Sequence, residues 1–200
     1  MKRLMVVGLV LVVFVGCRGK GKAPVGGTPS ISDSFELAFT EFRNSMSAQD
    51  YLKAVLSLRS SLAMFWAKSP LILHNTRFVK GADNSYGIYD PKEGSDFADG
   101  EPVYLYIEPV GYTLNKSAEG FYEFAFKADF QLMDDAGKAL GGQNDFANLS
   151  FQSWNFNTEV ALTFTYTFSG LAKGKYKIVT TVKDAYSDKK TTIENWFNIL

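Results

Sequence analysis

A nucleophilic hydrolase or a metal centre needs histidine, cysteine or converging carboxylates, and this chain of 200 residues supplies few of them. There is one histidine, His74, and one cysteine, Cys17. A Ser-His-Asp or Cys-His arrangement would have to pass its proton through His74. That residue sits in the run Leu71-Ile72-Leu73-His74-Asn75 and reads as a structural side chain on a first strand. One histidine and one cysteine cannot build a zinc site. The stretch Gly170-Leu171-Ala172-Lys173-Gly174-Lys175 is one residue short of a phosphate-binding loop and falls in a turn between strands. Asp90, Glu93, Asp96, Asp99 and Glu101 crowd one segment whose oxygens could take calcium. Their spacing fits no EF-hand, and a solvated acidic loop accounts for them. Asp134 and Asp135 precede Ala136-Gly137, which is a hairpin turn rather than a catalytic pair. The expectation is a chain that is not an enzyme and carries no cofactor or metal; a hydrolase would require carboxylates converging in a pocket.

Aromatic side chains offer different chemistry. Phe, Tyr and Trp number 17, 10 and 3, and exposed Tyr or Trp faces can stack on sugar rings. Tyr104, Tyr106 and Trp154 lie off the main apolar stripes, as do Phe156 and Trp196, so the first three are candidate ligand-binding residues. On the opposing expectation, the helical hairpin packs across this sheet face and buries them.

Cys17 has a chemistry of its own. Lys2 and Arg3 precede an uninterrupted run without polar side chains from Leu4 to Gly16. The run is shorter than the roughly 20 residues a membrane-spanning helix needs, and it fits the h-region of a secretory signal. Phe14-Val15-Gly16-Cys17 resembles the lipobox of bacterial lipoproteins, with Phe where that family usually has Leu. The resemblance implies cleavage before Cys17 and diacylation of its sulfur. It also implies attachment to a membrane, on its extracytoplasmic side. A lone cysteine in an exported chain agrees with this, because acylation removes a thiol that an oxidising compartment would otherwise attack. Arg18 follows the cysteine where an Asp would retain an enterobacterial lipoprotein in the inner membrane. In a host with two membranes the resemblance therefore points to the outer one, facing the periplasm.

The remaining elements follow from periodicity. Residues 1–16 read as signal peptide, and 17–30 as the lipidated cysteine and a Gly/Pro-rich tether containing Arg18, Lys20 and Lys22. Residues 31–69 read as a helical hairpin. Phe35, Ala38, Phe39, Phe42 and Met46 recur at helical spacing, as do Tyr51, Val55, Leu58, Leu62 and Phe65. Ser47-Ala48-Gln49-Asp50 resembles a capping box between the helices, and Ser69-Pro70 ends the second. These stripes need a cover, and the β domain is the expected one. A partner protein is the alternative.

From residue 70 to 200 the period is two. Strands are expected at Leu71 to Val79, Val103 to Glu108, Tyr122 to Leu132, near Ser150 to Asn157, Val160 to Phe168, from Lys173, and at the C-terminal end. That makes about seven antiparallel strands and a mainly β fold. The segments from Phe97 to Ile107 and from Leu171 to Asp184 resemble the strand pattern of bacterial immunoglobulin-like β-sandwiches. In those domains a Gly-x-Tyr opens a late strand and an Asp closes it before the final hairpin. The resemblance implies that Gly174 serves a tight entry turn, and that Tyr176 buries its ring and bonds its hydroxyl locally. It implies nothing about activity.

Charge is balanced, with 21 basic and 21 acidic residues. Without Lys2 and Arg3 the balance is 19 to 21, so no field of one sign points to nucleic acid. The expected role is a non-catalytic binding or structural module of the cell envelope. Its partners would be the membrane, through Cys17, and an envelope protein or a glycan.

Overall fold

The structure is a computed structural model and describes residues 31–200. Cys17, the signal segment and the tether lie outside the described residues. The element order is α1 (Ile31–Ser47), α2 (Tyr51–Lys68), β1 (Ile72–Val79), β2 (Asp96–Phe97), β3 (Val103–Val110), β4 (Asn115–Lys116), β5 (Tyr122–Asp134), β6 (Ala139–Ser153), β7 (Leu162–Tyr166), β8 (Gly174–Asp184) and β9 (Lys190–Ile199).

The alternation that marks the strands sorts their side chains between one core and solvent. Sheet one has the order β1-β3-β7. Sheet two runs β2-β9-β8-β5, with β6 on the far side of β5 and β4 beyond the end of β8. Every pairing is antiparallel except the two-residue β2–β9 contact. Val103, Leu105 and Ile107 of β3 and Leu162, Phe164 and Tyr166 of β7 meet Phe124, Phe126, Ala128 and Leu132 of β5. Tyr176, Ile178, Val182, Phe197 and Ile199 complete the same cluster. Aromatic edges interlock across it: Phe130 with Tyr166 at 5.3 Å and Phe97 with Phe197 at 6.0 Å, spacings at which ring quadrupoles attract. A polar pair buried between the sheets, the Tyr166 hydroxyl and Thr180 Oγ1 at 2.8 Å, satisfies itself.

Seven of the nine strands span five or more residues, and most lie where alternation puts them. The exception is β6, which begins at Ala139 rather than near Ser150. Its first half contains Gly141 and Gly142 and reads as a loop. The glycine is there for steric reasons, since a Cβ on Gly142 would lie 2.5 Å from the Phe130 carbonyl oxygen. The β5–β6 register shifts beside it, between Ala128 and Phe130. Gly174 also departs from expectation. It has no left-handed φ, and the turn is made at Gly170, with φ 77°. Tyr176 behaves as expected, with a buried ring and a hydroxyl donating to the Ala172 carbonyl at 2.8 Å.

Both helices form within the expected span of 31–69, but the cap between them is different. Asp50, not Ser47, caps α2, accepting from the Lys53 N–H at 3.1 Å. Ser47 belongs to the last turn of α1 and bonds back to the Arg43 carbonyl. Gln49, at φ 59°, reverses the chain between them.

The larger correction concerns where the hairpin goes. Neither helix lies across a sheet. The hairpin is fixed at its base instead. The Trp66 indole N–H donates to the Tyr112 carbonyl at 2.8 Å, and the Trp66 ring meets Tyr112 and Phe156 edge-on. The Lys189 ammonium donates to the Gly111 carbonyl at 2.7 Å. Asp184 ties the β8–β9 hairpin to the same corner, accepting from the Thr113 N–H at 2.8 Å and from the Ser187 hydroxyl at 2.7 Å.

Candidate functional site

The three candidate aromatics are not brought together. Tyr104 and Tyr106 share the outer face of β3, but the segment from Lys80 to Pro91 crosses that face and closes over Tyr106. The Tyr106 hydroxyl accepts from the Gly87 N–H at 2.9 Å and lies 2.8 Å from the Glu108 carboxylate, to which it donates. The Tyr89 ring covers it at 4.4 Å. Burial, reinforced by the Glu108 carboxylate, pushes the Tyr106 hydroxyl up to about 12. Tyr106 is therefore not the exposed ring expected of a sugar-stacking residue: it is buried and its hydroxyl is bonded within the fold. A loop buries it, where the hairpin was the expected cover. Tyr104 is half-buried and borders a shallow cleft with Lys80, Lys92, Glu101 and Pro102. Trp154 is 75% exposed, with its ring edge-on to Phe121 beyond the end of β6.

Beneath the same loop lies a polar network that sequence reading missed. Glu108 is buried on β3 and accepts from Asn75 Nδ2 at 2.7 Å. Asn75 stands at φ 50° in a bulge of β1, where the register shifts between His74 and Arg77. Arg77 bonds Asn75 Oδ1 and lies 4.9 Å over the Tyr89 ring. Tyr106 and Asn75 thus both donate to one carboxylate oxygen, Oε1, and the network fastens the loop to the sheet. His74, on the same strand, is exposed. The sequence hints at a cover only through the unbroken run Val103-Tyr104-Leu105-Tyr106-Ile107, which leaves neither face of β3 polar and does not say what covers it.

The acidic segment does not converge. Asp90 pairs with Lys80, Glu101 accepts from the Ala98 N–H and pairs with Lys92, and Asp99 accepts from the Gly170 and Leu171 N–H groups. Asp96 accepts from the Asn198 amide. Among the described residues no group of three or more His, Cys, Asp or Glu side chains could hold a metal ion.

What the fold leaves open is the hairpin. Its two helices meet through small side chains: Ser45 of α1 and Ala54, Ser57 and Ser61 of α2 are buried. Phe35 also meets Phe65 across the pair, and most other large side chains are turned outward, Leu37, Leu52 and Leu56 among them off the main stripe. Phe39, Met46, Tyr51, Val55, Leu58, Leu62 and Phe65 are between 37 and 61% exposed. Ring contacts between Phe35 and Phe65 at 5.0 Å and between Phe35 and Phe39 at 6.0 Å join the stripes of α1 and α2 into one apolar face. A contiguous face of this kind marks an interaction surface. No helix among the described residues is long and apolar enough to cross a membrane.

No family model matches the chain, and no curated protein matches it. Among solved structures it is similar to Spo0M, a sporulation control protein from Bacillus subtilis, at 10% identity and a TM-score of 0.31. The match covers 66% of this chain and 49% of that one. The chain thus spans about half the length of Spo0M.

Proposed function

We propose that the chain is a non-catalytic lipoprotein of the cell envelope, anchored through Cys17 on the extracytoplasmic side. In a host with two membranes it would sit in the outer one, facing the periplasm. Its β domain, which we read as an immunoglobulin-like sandwich, is a scaffold that holds the helical hairpin out as a binding or structural element. The observation that carries this reading is the bare apolar face of α1 and α2, on a hairpin fixed to the sheets at its base through Trp66. Seven long strands in two sheets, together with the buried Tyr176 and Asp184, support the immunoglobulin-like part. The run from Leu4 to Gly16 before Cys17 supports the anchor. A diacylglyceryl group brings two chains, as stable attachment requires.

A glycan-binding role is the second reading. Burial of Tyr106 removes the tyrosine pair, and the exposed ring of Trp154 is the feature that still favours it.

The test is the mass of the mature protein taken from membranes, beside a Cys17→Ala variant. A mass fitting acylation at Cys17, lost in the variant together with membrane attachment, is the expected result. An unmodified cysteine in the mature protein would overturn the anchor.

A further inference from the structure

We propose that the apolar face of the hairpin is the docking surface for the same face of a second copy of this chain, the two hairpins closing into a four-helix bundle. The inference deepens the binding-module reading by naming the partner, and its geometric basis is independent of the anchor. On α1 the face is set by Phe35, Phe39, Phe42 and Met46, spaced four, three and four. On α2 it is set by Tyr51, Val55, Leu58, Leu62 and Phe65, spaced four, three, four and three. Alternating steps of three and four are the seam of helices packing on helices. Directly beside that seam α2 carries a second one, Ala54, Ser57 and Ser61, which is small and already filled by α1. A helix with two adjacent seams suits a bundle, where each helix touches two neighbours. One of the two neighbours is present in the chain.

A second copy fits the vacancy for three reasons. Both helices carry the seam over nearly their whole length, so a two-fold axis pairs all of it with itself, as an isologous contact requires. The seven exposed side chains present on the order of 600 Å² per copy. Two copies then remove about 1,200 Å², the lower end of a specific stable interface. The charges on residues 31–68 are balanced: Asp33, Glu36, Glu41 and Asp50 against Arg43, Lys53, Arg59 and Lys68. A hairpin built to lie on anionic lipid carries a basic excess instead. Attachment of both copies to one membrane would raise their effective concentration further.

The test places single cysteines in the full chain at Val55, Leu58 and Leu62, and at Ser60 on the opposite side of α2. Membranes are treated with a short bis-maleimide, and the wild type serves as the baseline for Cys17. The expected result is a product of twice the chain mass from Val55→Cys, Leu58→Cys and Leu62→Cys, several-fold stronger than from Ser60→Cys. Equal yields at all four positions, or none, would overturn the proposal. So would a cross-linked product of another mass, which would assign the face to a different protein. Dimer product from a chain that proves unacylated would refute the anchor and leave the interface standing. Attachment without dimer product would do the reverse.

Discussion

Tyr106 and Glu108 show how a side chain that looks free for binding is spent on structure. On a strand, alternate residues share a face, so Tyr104 and Tyr106 read as a pair. Only the loop from Lys80 to Pro91 separates their fates. Removing the Tyr106 hydroxyl deprives the buried Glu108 of a donor and the Gly87 N–H of an acceptor. Tyr106→Phe is therefore expected to cost about 1–3 kcal/mol in a urea titration, with no change in secondary structure. The same group sets a pH dependence. Its folded value of about 12 lies above the ordinary tyrosine value of 10.0, so the folded state holds the proton more tightly. That contribution is whole below about pH 10 and is lost as pH rises towards 12. Burial pushes Tyr112 and Tyr166 upward too, so stability should fall with the same sign. Equilibrium unfolding followed from pH 9 to pH 12 checks it, and a flat curve would contradict the buried placement of all three hydroxyls.

At the scale of elements, the junction between hairpin and sheets depends on one glycine. Gly111 has φ 79°, and a Cβ there would lie 2.3 Å from the Pro70 carbonyl oxygen. Gly111→Ala should cost at least the ~1–3 kcal/mol of a left-handed non-glycine residue, read as a lowered unfolding midpoint. The helices make a contrasting prediction. Leu105 is fully buried in the core, whereas Leu62 is 45% exposed on the open face. Leu105→Ala should cost about 2–5 kcal/mol. In the dilute single chain Leu62→Ala should stay within about 0.5 kcal/mol, as paired urea titrations would show. The stripes, the helix ends and most strands are legible because periodicity is a local property. The start of β6 is not, because Gly142 answers to Phe130 on the neighbouring strand. Nor is the cover over Tyr106, because it belongs to a loop that joins two strands far apart in the sheet order. Likewise, the stripe on α2 announces that something must cover it, but the identity of the cover is a tertiary fact.

For the whole molecule, the apolar material divides into two bodies with different fates. The aromatic core between the sheets is closed, with Trp66 of α2 set into it. The hairpin, packed internally by serine, alanine and the Phe35–Phe65 pair, keeps most of its large side chains turned outward. A two-helix element buries too little to be independently rigid, so it should be as protected as the sheets only when its outer face is occupied. That division assigns the open face as a working interface. Amide hydrogen exchange on the full chain in its membrane tests it most directly. Amides of 51–65 should exchange nearly as slowly as those of β3 and β5, and Leu58→Glu should speed them many-fold while the strands are unchanged. Fast exchange throughout α1 and α2 in the membrane-attached protein would contradict it, leaving the hairpin an uncovered appendage.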